Sequence, residues 1–72
     1  MVKTEKAKLK ALLEYWITHN QDHLTDFKEW AGKAEAMGER EIAGNIQQAI
    51  SKMDKATALF IYSLKILDGE GK

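Results

Sequence analysis

Apolar residues recur along the chain at steps of three and four, which is the spacing of an amphipathic α-helix. No segment alternates apolar and polar residues as a half-buried strand does. The series in the first half of the chain is Leu9, Leu13, Trp16, Asn20, His23, Phe27, Trp30, Ala34 and Met37. The series in the second half is Ile42, Ile46, Ala49, Met53, Ala56, Phe60, Leu64 and Leu67. The pattern therefore predicts two amphipathic helices.

The two series are separated by Gly38, the residue type best suited to end a helix in the left-handed conformation. Glu41 follows in the first turn of the second helix, where negative charge is favourable. The sequence thus predicts one domain, residues 1–72, with helix 1 at about 4–37 and helix 2 at about 40–68. Because the connection is short, the expected fold class is an all-α, antiparallel two-helix hairpin.

An alternative interpretation breaks helix 1 near Thr18. Thr18 and Gln21 match a capping box, and the residues around them are mediocre helix formers. A break there would give a three-helix bundle. The unbroken helix is preferred because the apolar series keeps its phase through this region, and no glycine or proline interrupts it.

The apolar stripes are wider than a single partner helix covers, with an arc of about 140° on helix 1. The end of helix 2 is apolar on nearly all sides, as in a helix enclosed by several neighbours. No cysteine is present to reinforce so thin a core. We therefore expect two hairpins to form a homodimeric four-helix bundle. The residues expected at this interface are Ile17, Leu24, Ile50, Leu59, Ile61, Tyr62 and Ile66.

One polar cluster could carry chemistry. His19 and His23 are four residues apart, so both imidazoles lie on one helical face and can bind one divalent ion. Asp22 and Asp26 fall in the same arc, and Asp54 is expected opposite His23 across the antiparallel pair. Imidazole with carboxylate suits Zn, Ni or Fe. The motifs of zinc proteases and of di-iron bundles are both missing from the sequence.

A structural role for the same residues is the competing interpretation. Asn20 and His23 occupy positions of the first series, and buried polar residues in a helical seam often determine register and partner number. A third possibility is a pH response, since histidines near an interface change charge between about pH 5 and 8.

Composition narrows the classes of function. With 11 basic and 11 acidic residues the chain carries no net charge, so a nucleic-acid partner is not expected. The weakly charged run at 56–64 is far shorter than the roughly 20 residues that span a bilayer. No signal-peptide pattern is visible, and we expect a soluble, cytoplasmic chain. No enzymatic motif is present. The sequence favours a non-catalytic interaction or scaffold module that binds itself, with metal binding as the alternative.

The segment W-I-T-H-N-Q-D-H, followed by F-K-E-W-A, resembles the pattern W-x-x-H-N-x-x-H with F/Y-x-x-W-A. That pattern belongs to an uncharacterised family of small bacterial and archaeal helical proteins. The matching positions are Trp16, His19, Asn20, His23, Phe27 and Trp30. Members often have a histidine directly before the tryptophan, where this chain has Tyr15, so the resemblance implies one metal ligand fewer. It also implies a helical hairpin over most of the chain, and it brings no established activity.

Overall fold

The computed structural model describes the backbone of residues 2–70 and the side chains of residues 4–69. Two α-helices, α1 (Val2–Ala36) and α2 (Arg40–Glu70), pack against each other as a hairpin. The prediction of an all-α hairpin is confirmed. Helix α1 continues through Thr18 without interruption, so the three-helix alternative is wrong.

The turn has the geometry that the sequence predicts. Gly38 has a φ of 84°, in the left-handed region where a Cβ is unfavourable. The Gly38 amide donates to the carbonyl of Glu35 at 3.0 Å, and the Glu39 amide donates to the carbonyl of Ala34 at 2.9 Å. These two hydrogen bonds form a Schellman motif, which satisfies carbonyls left open at the end of α1.

The seam between the helices, meaning the row of residues that each helix turns towards the other, differs from the expected one. In α1 it consists of Leu13, Ile17, Asn20, Leu24, Phe27, Ala31 and Ala34. In α2 it consists of Ala43, Ile46, Ile50, Met53, Thr57, Phe60, Leu64 and Leu67. Every second member except Leu64 lies one residue later than predicted, so both helices are rotated relative to the expected orientation. Trp16, His23 and Trp30 therefore lie beside the seam.

Side-chain volume explains this rotation. Ala31, Ala34 and Ala43 are buried where the helices leave the turn, and small residues allow two helix backbones to approach closely. An indole ring at the position of Ala31 would hold the helices apart. Trp30, the neighbouring residue, is 54% exposed.

The rotation corrects two predicted interface residues. Leu24 and Ile50 are each only 6% exposed and form a core cluster with Ala31. The prediction that they remain available to a second chain is wrong, because they fill the seam of the hairpin itself. Ile17 also lies in the seam and is half-buried.

A polar contact joins the helices at mid-length. The Asn20 amide Nδ2 donates to Thr57 Oγ1 at 3.3 Å, and the Thr57 hydroxyl donates to the carbonyl of Met53 at 2.8 Å. Thr57 is buried and Asn20 is half-buried. Asn20 therefore lies in the seam, as predicted.

Two glycines should respond oppositely to alanine. We expect Gly38→Ala to lower the free energy of unfolding by about 1 kcal/mol, because alanine is strained at positive φ. Gly32→Ala should raise it by up to about 1 kcal/mol, because Gly32 is inside α1 and a Cβ there meets nothing within 4 Å. Urea denaturation followed by circular dichroism measures both. Equal effects would contradict the description of the turn.

A double-mutant cycle can test the hydrogen bond between Asn20 and Thr57. Thr57→Val preserves the shape of the side chain but leaves the Asn20 amide without its acceptor, which should cost about 1 kcal/mol of stability. Asn20→Leu combined with Thr57→Val should recover part of that loss, because both polar groups are then gone. The comparison uses urea denaturation of the wild type, both single variants and the double variant. Strictly additive losses would contradict a direct interaction.

Candidate functional site

The seam repeats every seven residues, which divides the rest of the hairpin surface into two flanks and an outer face. In an antiparallel helix pair, the residues that directly precede every second seam residue lie on the same side of the hairpin in both helices. Trp16, which precedes Ile17, and Ala56, which precedes Thr57, are examples. We call this side, together with Leu12, His19, Leu59 and Ile66 of the adjacent row, the apolar flank. From α1 and the turn it contains Leu9, Leu12, Trp16, His19, His23, Trp30 and Met37. From α2 it contains Ile42, Ala49, Ala56, Leu59, Ser63 and Ile66.

The opposite side, the polar flank, has a different composition. Its residues are Glu14, Gln21, Lys28, Glu35, Arg40, Gln47, Asp54, Ile61 and Asp68. Lys10 Nζ lies 3.2 Å from the carboxylate of Asp68, and Arg40 Nε lies 3.8 Å from that of Glu35, so ion pairs bridge the helices on this side. The chain therefore concentrates its charged contacts between helices on one flank and its apolar surface on the other.

Exposed apolar side chains are concentrated on the apolar flank. Of the eleven large hydrophobic side chains that are exposed in the described part of the chain, eight belong to it. These eight are Leu9, Leu12, Trp16, Trp30, Met37, Ile42, Leu59 and Ile66. The other three are Tyr15, Ile61 and Tyr62. Exposed apolar side chains concentrated on one side of a molecule mark a site of interaction more often than scattered single residues do.

The two tryptophan rings are partly covered by other side chains of the hairpin. The ring of Trp16 packs against Phe60 with a centroid distance of 5.6 Å. Lys33 Nζ lies 4.3 Å from the ring centre of Trp30, a cation–π contact from the rim of the flank. Both indoles still present an apolar face to solvent.

A groove opens on the apolar flank at the end of the hairpin remote from the turn. It has a volume of about 350 Å³ and is lined by Leu9, Leu13, Phe60, Ser63, Ile66 and Leu67. Leu9, Ser63 and Ile66 belong to the flank, and the other three belong to the seam. The groove is therefore a depression in the apolar flank.

The predicted histidine pair is part of a stack of four rings spaced four residues apart. Tyr15 stacks on His19 with a centroid distance of 5.4 Å, and His23 stacks on Phe27 at 5.8 Å. The two imidazoles meet edge to face, 4.4 Å apart. Four helical residues turn through about 400°, so each ring lies roughly 40° closer to the seam than the one before. The stack runs from exposed Tyr15 to half-buried Phe27.

The edge-to-face contact brings the imidazole nitrogens together. His19 Nε2 lies 3.0 Å from His23 Nε2, within hydrogen-bond distance, and the tautomers of the two rings determine which nitrogen donates. Around an ion with metal–nitrogen bonds of about 2.1 Å, two ligands are about 3.0 Å apart at 90° and about 3.4 Å apart at the tetrahedral angle. The pair thus has the spacing of two adjacent ligands of one transition-metal ion.

The carboxylates expected around this pair do not complete a site. No three histidine, aspartate or glutamate side chains form a metal-binding group among the described residues. Asp54 lies on the polar flank and His23 on the apolar flank, so the rotation of the helices separates them. Asp22 lies on the outer face of α1 and Asp26 at the rim of the apolar flank. One chain brings together two nitrogen ligands, His19 and His23.

The position of His23 differs from the predicted one, and the ring partners of the pair are new. His23 is half-buried on the apolar flank, one position from the seam, while Leu24 occupies the seam. Tyr15 and Phe27, which hold the imidazoles from both sides, were not singled out as site residues. Their spacing of four residues from the nearer histidine is the signal that could have found them.

The chain belongs to a protein family described as a domain of unknown function (DUF8180), which matches residues 9–67. The matched segment includes the histidine pair and the whole apolar flank. No curated protein and no solved structure matches the chain. Neither helix of the described part of the chain has the length and apolar content needed to cross a membrane.

The histidine pair should matter little for stability. We expect His19→Ala and His23→Ala each to change the free energy of unfolding by less than about 1 kcal/mol, because their hydrogen bond is exposed. Leu24→Ala should cost about 2–4 kcal/mol, because it opens a cavity in the seam. Urea denaturation in the presence of EDTA compares the three variants. Histidine variants as damaging as Leu24→Ala would show that the pair is structural.

Proposed function

We propose that this chain is a non-catalytic, self-associating helical protein that acts as an interaction or scaffold module. The observation that carries the proposal is the apolar flank, which leaves eight large hydrophobic side chains exposed along one side of the hairpin. The occupant we propose for this flank is a second copy of the chain. Two hairpins that pack flank to flank would form a four-helix bundle.

The amount of exposed surface supports this assembly. The hairpin measures 53 × 14 × 14 Å and has an accessible surface of 5686 Å². A compact monomer of 8.2 kDa exposes about 4,500 Å². The excess is roughly 1,200 Å². A standard interface buries about 800 Å² on each partner, so the excess surface of the hairpin is larger than one such interface covers.

The shape of the flank favours a second copy in the reversed direction. Three of the eight exposed side chains of the flank, Trp30, Met37 and Ile42, lie at the turn end, and the other five lie in the half that holds the groove. The groove of about 350 Å³ lies at the opposite end of the same flank. A two-fold axis across the flank, perpendicular to the helices, places the turn end of each copy against the groove of the other. The contact is then complementary to itself.

The chemistry at the edges of the flank fits an interface as well. Asp26, Lys33 and Lys52 lie in the outer row of the flank, the row of Leu12, His19, Leu59 and Ile66, and border its inner row. A polar rim around an apolar centre is the usual composition of a protein interface. Of the exposed residues in the predicted interface set, Ile61 and Tyr62 lie off the flank, so the proposed interface retains Leu59 and Ile66.

A matched pair of substitutions tests the flank. Leu59 is 66% exposed and Tyr62 is 64% exposed, three residues apart on α2, but only Leu59 belongs to the apolar flank. We expect Leu59→Lys to raise the dissociation constant of the dimer by roughly 100-fold or more, since about 2 kcal/mol is lost in each copy. Tyr62→Lys should leave it nearly unchanged. Sedimentation equilibrium measures the mass of both variants.

Circular dichroism of the same samples serves as the control for folding. Lysine is a good helix former, so neither substitution should unfold an exposed part of α2 by itself. A wild-type chain that stays at 8.2 kDa at high concentration would overturn the proposal. Equal dissociation by the two variants would overturn the choice of flank.

A further inference from the structure

The proposed assembly determines where the histidine pair lies, and the next inference rests on it. Along α1 the apolar flank presents Leu9, Trp16, His23, Trp30 and Met37 at intervals of seven residues. His23 is the central member of this row. A two-fold interface places the residues at its centre next to their own copies. The helical turn that carries His19 and His23 therefore lies at or beside the two-fold axis.

We propose that His19 and His23 form half of a binding site for a divalent transition-metal ion, and that the same pair of a second copy completes it. One chain supplies two imidazoles whose Nε2 atoms are 3.0 Å apart, the separation of two adjacent ligands. No third histidine or carboxylate joins them within the described part of the chain. The site is incomplete without the partner copy, and the two-fold axis brings that copy's imidazoles to the same place.

The ring stack prepares the pair for this role. Tyr15 packs on one side of His19, and Phe27 packs on the far side of His23. The rings are thus held with their Nε2 atoms facing each other, and one ion can bind both nitrogens once the donor ring carries its proton on Nδ1 instead of Nε2. Preorganised ligands lose little conformational freedom on binding. Four imidazoles suit Zn²⁺, Ni²⁺, Cu²⁺ and Co²⁺ better than the oxygen-preferring Mg²⁺ or Ca²⁺.

The test uses a tag-free chain and a variant of identical composition. Thr18→His/His19→Thr exchanges two neighbouring residues, which keeps two histidines but changes their spacing from four to five. Five positions turn the rings about 140° apart around the helix, so they can no longer share an ion. Calorimetric titration with NiCl₂ and ZnCl₂ gives the affinity and the stoichiometry. CoCl₂ adds a visible absorption spectrum that reports nitrogen ligation.

For the wild type we expect one ion per two chains and an affinity at least tenfold higher than that of the exchanged variant. The ion should also tighten the dimer, because it binds only the associated form fully. Sedimentation equilibrium in EDTA and in NiCl₂ should therefore show a dissociation constant at least tenfold lower with the metal. His19→Ala/His23→Ala should abolish that difference.

The outcomes separate this inference from the proposed function. A wild-type dimer in EDTA with no metal binding beyond that of the exchanged variant would overturn the metal site and leave self-association standing. One ion per chain with no change in dimer affinity would overturn the shared site. A chain that is monomeric in EDTA and dimeric with nickel would overturn metal-free assembly and support the bridging ion. A chain that is monomeric in both would overturn both proposals.

Discussion

The close approach of α1 and α2 near the turn is the constraint on which the surface of this hairpin depends. Ala31, Ala34 and Ala43 are buried there, and the space between the helices does not admit an aromatic ring in their place. The helices therefore turn so that the indoles lie outside the seam. As a result the bulkiest apolar groups are the ones that the hairpin does not enclose. The same packing that closes the hairpin creates the apolar flank.

Much of this fold follows from the sequence by simple rules. The three- and four-residue spacing predicts both helices, and Gly38 predicts the turn because only glycine adopts a φ of 84° without strain. The choice between two neighbouring rows in α1 does not follow from the spacing. Trp16, His23 and Trp30 have the same period as Ile17, Leu24 and Ala31. Hydrophobicity favours the tryptophans, but the volume available between two helices favours the smaller row.

The candidate site also combines features that follow from the sequence with features that depend on how the helices pack. The four-residue spacing of His19 and His23 predicts that the rings meet, and they do. Asp54 was expected to lie opposite His23, which depends on the face that each helix turns towards the other. With the observed rotation of the helices, Asp54 lies on the polar flank. Tyr15 and Phe27 are adjacent to the pair through the helical repeat alone. Local periodicity was sufficient for contacts within α1, whereas contacts between helices required knowledge of the packing.

The contact between Asn20 and Thr57 has a consequence for how the chain finds its correct alignment. Because the seam repeats every seven residues, sliding one helix by a heptad keeps apolar groups against apolar groups, and the slipped hairpin differs from the correct one in side-chain volume near the turn and in its polar contact. A slipped hairpin would set the Asn20 amide against Ile50 or Leu64, neither of which offers a side-chain acceptor. The desolvation penalty of the unpaired amide then raises the free energy of the slipped alignment relative to the correct one. The contact joins residues 37 apart in sequence, so it acts on the alignment of the two helices and not on the turn itself.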